Sequence, residues 1–214
     1  VNPYTSFLGG MAAAAYGVDY SDFSRDLTTS YDANQFGEYG QDGSLNYVGA
    51  SEALSSGEAW HYVPGNLNQA AIYNTYGTKT DITFNLAFNL NDRVYLGFSL
   101  GTPRINYRRE EIFTETPQES TAFPVIFYDS NDNLVSTNFT GATNTYKLNT
   151  DATGINAGFG FIALLTESLR LGASVQTPTL LNITETWEYR ASSTYSNSAF
   201  DSSARSSIGE YSYR

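Results

Sequence analysis

Ile82-Thr83-Phe84-Asn85-Leu86-Ala87-Phe88-Asn89-Leu90 decides the architecture of this chain. Apolar side chains fall on every even position and small or polar ones on every odd position, a period of two that a pleated strand sorts onto opposite faces. Asn91, Asp92 and Arg93 then make a short polar turn. Alternation resumes through Val94, Leu96, Phe98 and Leu100 against Tyr95, Gly97, Ser99 and Gly101, which predicts a hairpin. The device recurs. Ile155, Ala157, Phe159, Phe161, Ala163 and Leu165 lead to a turn at 166–168, and Leu169, Leu171, Ala173 and Val175 return against Arg170, Gly172, Ser174 and Gln176. The two return strands align residue by residue, Leu96-Gly97-Phe98-Ser99-Leu100-Gly101-Thr102-Pro103 with Leu171-Gly172-Ala173-Ser174-Val175-Gln176-Thr177-Pro178, so the hairpin is a repeated unit. Proline cannot donate to a sheet ladder, and Pro103 and Pro178 are the expected strand kinks. After Pro103 the apolar phase slips to Ile105 and Tyr107, as one bulge residue would cause. After Pro178 it is kept through Leu181, Ile183, Trp187 and Tyr189, and the case for a bulge there is weaker.

Outside the hairpins the chain is long and polar. The expected plan is a loop-rich segment over 1–80 with one short Ala-rich helix over 7–16, a first membrane hairpin over 81–109, and a long external loop over 110–152. A second membrane hairpin over 153–189 and a Ser-rich loop or tail over 190–214 complete a single domain. Inside the joining loop, residues 125–128 and 134–136 flank Asp129-Ser130-Asn131-Asp132-Asn133, which predicts a small hairpin.

Alternation alone does not say whether the apolar face meets a core or a lipid. Three details favour lipid. The windows 82–90, 94–102 and 155–165 carry no charged side chain, and 169–177 carries only Arg170. Their length of about 9 to 11 residues suits a tilted membrane strand, where soluble strands average about five or six. Tight turns also alternate with very long connections, as in outer-membrane barrels. Tyr95, Tyr107, Trp187 and Tyr189 flank the apolar bands. The expected fold is therefore all-β, an antiparallel transmembrane β-barrel or an internal part of one. Unpaired backbone is costly in hydrocarbon, and four strands do not close a cylinder. Either weaker strands lie in the first 80 residues or the chain is an internal piece of a longer protein.

Composition narrows the function. Of 214 residues, 41% are hydrophobic and 15% charged, against about 25% charged in an ordinary soluble domain. Asp plus Glu number 22 and Lys plus Arg 11, a net charge of −11 that argues against a nucleic-acid partner. With 17 Tyr and 13 Phe, disorder is excluded for most of the chain. There are no cysteines, hence no disulfides, Fe–S clusters or thiol nucleophiles. No segment approaches the roughly 18 apolar residues of a membrane helix.

No enzyme chemistry is expected, nor any cofactor or metal. His61 beside Trp60 is the single histidine and no Gly-x-Ser-x-Gly elbow exists; Gly49-Ala50-Ser51-Glu52-Ala53 lacks the second glycine. Asp129, Asn131 and Asn133 have the spacing of half a calcium loop, but Leu134 stands where glycine is needed, so a hairpin tip is expected. Arg108, Arg109, Glu110, Glu111 and Glu115 read as a mixed-charge rim. If the apolar positions face lipid, then Asn85, Asn89, Ser99, Arg104, Arg170 and Gln176 face the lumen, where an arginine suits a carboxylate head group. Pairing of Arg170 with a lumen carboxylate is the slightly favoured alternative.

Asp92-Arg93-Val94-Tyr95-Leu96-Gly97, followed by Ile105-Asn106-Tyr107 and Phe113-Thr114-Glu115, resembles the FadL/TodX family of outer-membrane transport proteins in its Bacteroidetes form. Residues 154–158 (Gly154-Ile155-Asn156-Ala157-Gly158), Leu169-Arg170-Leu171-Gly172-Ala173 and Thr177-Pro178-Thr179 resemble that family's second hairpin. Asn2-Pro3-Tyr4 and the Ala-rich stretch resemble the segment before its middle strands. The family's Asn-Pro-Ala-Gly hatch motif is absent, as are strands following Arg214. The resemblance implies a Gram-negative outer-membrane channel for passive uptake of hydrophobic small molecules such as long-chain fatty acids. It also implies a lateral exit at a kinked strand, with membrane lipid as the surrounding partner. The competing expectation is a secreted or surface-exposed soluble β-rich adhesion or glycan-binding module, suited by Tyr and Asn in long loops.

Overall fold

A computed structural model describes residues 6–40, 45–54, 61–118 and 121–214. In chain order they form α1 (Phe7–Ala15), a 3-10 turn (Tyr20–Asp22), α2 (Arg25–Asp32), β1 (Phe36–Glu38), β2 (Tyr47–Gly49), β3 (Ala53–Leu54), β4 (His61–Tyr62), β5 (Leu67–Leu90) and β6 (Val94–Pro117). There follow β7 (Pro124–Tyr128), β8 (Leu134–Leu164), β9 (Arg170–Gln176), β10 (Leu180–Tyr195), a second 3-10 turn (Ser198–Phe200), β11 (Ser202–Arg205) and β12 (Gly209–Tyr213). The fold is all-β and antiparallel in the main, with two short helices. The principal sheet runs β11-β10-β8-β6-β5, with β12 on β10 and both β7 and β9 on β8; β1-β2 and β3-β4 are separate ribbons. Among the described residues this sheet stays open, with β5 as one edge.

Both expected hairpins form, but their strands far outrun the apolar windows. β5 and β6 have 24 residues each and β8 has 31, so much of the expected loop over 110–152 is strand. The small hairpin over β7 and β8 is present, Tyr128 opposite Leu134. Asp129 Oδ1 accepts the Asn131 and Asn133 amides at 2.8 and 2.9 Å, so this carboxylate serves the turn.

The chain divides into two compact units. Unit 1 comprises Val1–Asn74, Glu110–Lys147 and Trp187–Ile208; unit 2 comprises Thr75–Arg109, Leu148–Thr186 and Gly209–Arg214.

Unit 1 has conventional cores. Leu8, Leu67, Phe123, Phe139 and Tyr195 are buried together in one cluster. Ala12, Ala15, Leu27, Phe36 and Tyr47 make another. The alanines of α1 let β2 approach closely, and a Cβ at Gly49 would lie 2.5 Å from Gly9 N, which only glycine permits. Sequence reading missed α2, because Thr28, Thr29 and Ser30 are weak helix formers. Here the Thr28 and Thr29 hydroxyls donate back to the Ser24 and Arg25 carbonyls. Burial pushes the Tyr195 phenol up to about 12 while its hydroxyl donates to Asn34 O. A phenol whose folded value exceeds its unfolded value of about 10 stabilises the fold fully below pH 10, and that contribution is lost as pH rises through 12. We therefore expect an alkaline unfolding step of unit 1 between about pH 10 and 12, read by tyrosinate absorbance alongside circular dichroism, and blunted in Tyr195→Phe.

Unit 2 differs in kind: it is a single sheet layer, with a row of aromatic side chains on one face. Phe88 and Phe98 lie 6.2 Å apart between ring centroids, and Phe98 and Phe159 5.1 Å, linking β5, β6 and β8. Phe159 pairs with Val175 and Phe161 with Ala173, extending this aromatic face onto β9. The other face is built on glycine. A Cβ at Gly101 would lie 2.5 Å from Asn156 Oδ1, and one at Gly158 2.3 Å from Ser99 Oγ, so each glycine makes room for a polar side chain of the neighbouring strand.

The return strand after the second turn breaks at 177–179, around Pro178, whereas β6 runs unbroken through Pro103. Across the break, parity changes. In β9 odd residues face odd residues of β8, Phe159 opposite Val175. In β10, Glu185 meets Thr150 and the Tyr189 ring packs against that of Tyr146, odd against even. One residue is therefore inserted at Pro178, and every β10 side chain is turned over relative to β9. Through Pro103 no such slip occurs: Ser99 beside Gly158, Gly101 beside Asn156, Asn106 on Asp151 and Arg108 on Asn149 keep one register. The bulge expected after Pro103 is thus corrected to Pro178, because phase is set by the partner strand and not by apolar order within one strand.

Candidate functional site

Period two along β5, β6, β8 and β9 brings five of the six expected lumen residues to the glycine face. Gln176 Nε2 donates to Asn156 Oδ1 at 3.3 Å, and Asn156 Nδ2 donates to Thr179 Oγ1 at 3.3 Å, a short amide ladder beside the strand break. Ser99 packs over Gly158. Asn85 shares its face with Lys79, Asp81 and Thr83, which line a recess of about 380 Å³ with Gly101, Pro103, Asn156 and Gln176. Asn89 is committed to the turn, donating to Asp92 Oδ1 at 2.6 Å and accepting from Asp92 N at 3.0 Å. Asn91 and Asp92 hold the positive φ values that this turn requires. Arg170 stands opposite Leu164 beside the second turn and has no ion-pair partner among the described residues.

Arg104 is the exception. Without a bulge at Pro103 it stays in phase with Phe98 and Leu100, so it lies on the aromatic face and not with Ser99. Tyr95 and Tyr107, odd residues of β6, correspondingly belong to the glycine face. The turned-over β10 sends Leu181 to the recess there, and in unit 1 Tyr189 to the cavity described next. These aromatics do not form the outward girdle that their sequence positions suggested.

Unit 1 holds an aromatic cavity of about 280 Å³ between α1, α2 and the strands, lined by Phe7, Met11, Phe113, Tyr146, Tyr189 and, among polar residues, Asp26, Glu111, Asn144 and Arg190. The Phe7 and Phe113 rings stand 4.2 Å apart, and those of Tyr146 and Tyr189 4.9 Å. Asn144 Oδ1 is buried without a hydrogen-bond partner. The chamber is suited to an apolar chain of modest size, with an acceptor for a hydroxyl or amide donor. The sequence did not announce it, because its walls come from separate segments spread between Phe7 and Ala191 that only the fold brings together.

One wall of unit 1 is fastened by Glu115. This residue is fully buried, and its carboxylate accepts from Phe7 N at 2.7 Å, Ser51 Oγ at 2.6 Å, Gln69 Nε2 at 2.7 Å and Ser6 Oγ at 3.0 Å. It sits at the N-terminus of α1, where exposed amides and the helix dipole favour an anion. The expectation of a rim carboxylate is corrected: Glu115 anchors α1 to β6. Glu110 does face outward, bonded to Lys147 at 2.8 Å, and this contact holds its carboxyl below the usual range. His61 Nδ1 lies 3.8 Å from Glu52 Oε2, and its ring stands against that of Tyr39. Trp60 and Asn2-Pro3-Tyr4 lie outside the described residues. Among the described residues no cluster of His, Asp and Glu would hold a metal ion, and no helix is long and apolar enough to cross a membrane, which says nothing of strands.

No family model matches the chain, and no curated protein matches it in sequence.

Proposed function

We propose that this protein is an outer-membrane channel for passive uptake of hydrophobic compounds such as long-chain fatty acids, of the FadL/TodX kind. The carrying observation is the bare aromatic face of unit 2: Phe84 is 64% and Leu86 65% exposed, and Phe88, Phe98, Ile155 and Val175 are likewise uncovered. A soluble sandwich would bury these side chains against a second layer. Water penalises such a surface by about 25 cal/mol for each Å² left exposed, whereas acyl chains accept it. The opposite face, of Asn, Ser, Thr, Gln and Gly, has the polarity of a barrel interior. In a bilayer the open edges of the sheet require partners, since each unpaired backbone group there costs several kcal/mol. On this reading the aromatic cavity of unit 1 receives the substrate, and the break at Pro178 is where the wall opens sideways, as the family resemblance implies.

Phase partition tests the membrane assignment: the protein is expected in the detergent phase and in carbonate-resistant membranes. Recovery as a soluble monomer without detergent would overturn the proposal. Uptake of a labelled long-chain fatty acid into vesicles carrying the protein tests the substrate class separately.

A further inference from the structure

We propose that Thr80, Arg104 and Thr153 form a docking site for the phosphate of an outer-leaflet lipid headgroup, an inference that rests on the membrane reading of unit 2. The site follows from register. Gly77 lies against Asn106 O and Tyr107 Cα, and Asn74 Nδ2 donates to Glu110 Oε2 in the same register. Counting residue for residue along the antiparallel pair, from Gly77 opposite Tyr107, puts Thr80 opposite Arg104. On the other side, the unbroken β6–β8 register puts Thr153 opposite Arg104. All three belong to the aromatic face and all are exposed.

The rows on this face change character abruptly here. Ile82, Thr102 and Ile155 make the last row of the apolar band; Thr80, Arg104 and Thr153 make the next; beyond it stand Asn106 with Asp151, then Arg108 with Asn149. A guanidinium between two hydroxyls at the limit of a lipid-facing band has the donors and the height to meet a phosphate ester. Competing interactions are already assigned. Asp151 accepts from Asn106 Nδ2 at 2.5 Å, and Arg108 reaches Asn149 and Asn106. Arg104 has no ion-pair or hydrogen-bond partner among the described residues. Within a chain of net charge −11, the unpaired guanidinium of Arg104 is a local positive site, and any anion it holds is held by that short-range contact. The apolar rows immediately below supply contact for the acyl chains of the same molecule, which is why a lipid and not free phosphate is the assigned occupant.

The test is lipid selectivity of the protein reconstituted in phosphatidylcholine vesicles with trace spin-labelled phosphatidic acid or phosphatidylcholine, with insertion scored independently by protease protection. Wild type is expected to prefer the phosphate monoester about fivefold, the scale for one basic residue at a headgroup. Arg104→Ala is expected to lose that preference, Arg104→Lys to keep part of it, and the isosteric pair Thr80→Val with Thr153→Val to lessen it while leaving insertion intact. An inserted wild type without preference, or an Arg104→Ala variant that retains it, overturns the headgroup site while sparing the membrane reading. Failure of wild type to insert in either lipid overturns both.

Discussion

Glu115→Ala is expected to detach the start of α1 and to cost unit 1 about 3 to 5 kcal/mol, at roughly 1 to 3 for each buried donor left without an acceptor. Phe7 N, Ser51 Oγ and Gln69 Nε2 all donate to the carboxylate that is removed, whereas Ser6 Oγ, which accepts the Gly9 amide at 2.8 Å as the helix cap, keeps its hydrogen bond with Ser51 Oγ. Water entering the vacated space relieves some of this cost, which is why the sum of the separate penalties is not reached. Glu115→Gln preserves the volume but presents two N–H groups to a ring of donors, and should fall between wild type and alanine. Hydrogen exchange of the α1 amides beyond the first turn is the measurement, with the unit 2 strand amides as internal reference. Protection of α1 unchanged in Glu115→Ala would show that helix packing alone holds it.

Phe84→Arg should cost about 2 to 4 kcal/mol for the protein folded in a bilayer, if unit 2 lies near mid-depth at this residue. Its neighbour Asn85 points to the glycine face, and Asn85→Arg should cost much less. The contrast discriminates because both positions are exposed. In water, substitutions at exposed strand positions fall within about 0.5 kcal/mol, so neither arginine would matter. Denaturant titration in vesicles, followed by the difference between the two adjacent variants, reads the asymmetry directly. Equal effects from Phe84→Arg and Asn85→Arg would remove the lipid-facing assignment of the aromatic side.

The hairpins were legible because period two is a local property. Leu86 and Phe88 declare a common face through the pleat alone, and Asn91-Asp92 declare a turn through their tolerance of positive φ. The Ala-rich run likewise announced α1. By contrast, α2 was hidden because its Thr and Ser residues hydrogen-bond locally and score as loop, although Ser24 before the helix and Asp26 in its first turn were signals present in the chain. The four short strands β1 to β4 were hidden for a different reason: segments of two or three residues are too brief to show any period.

Local order in the sequence therefore determined the antiparallel strands, the two tight turns and the uncharged apolar bands. Which way a side chain points was decided only in tertiary structure, because a strand's faces are defined by its partner. One inserted residue at Pro178 reverses Trp187 and Tyr189, and its absence at Pro103 moves Arg104 to the opposite side. Burial was decided at the same level. Glu115 reads as one more acid in a charged run until Phe7, Ser51 and Gln69 arrive from distant parts of the chain to exclude water and supply its hydrogen bonds.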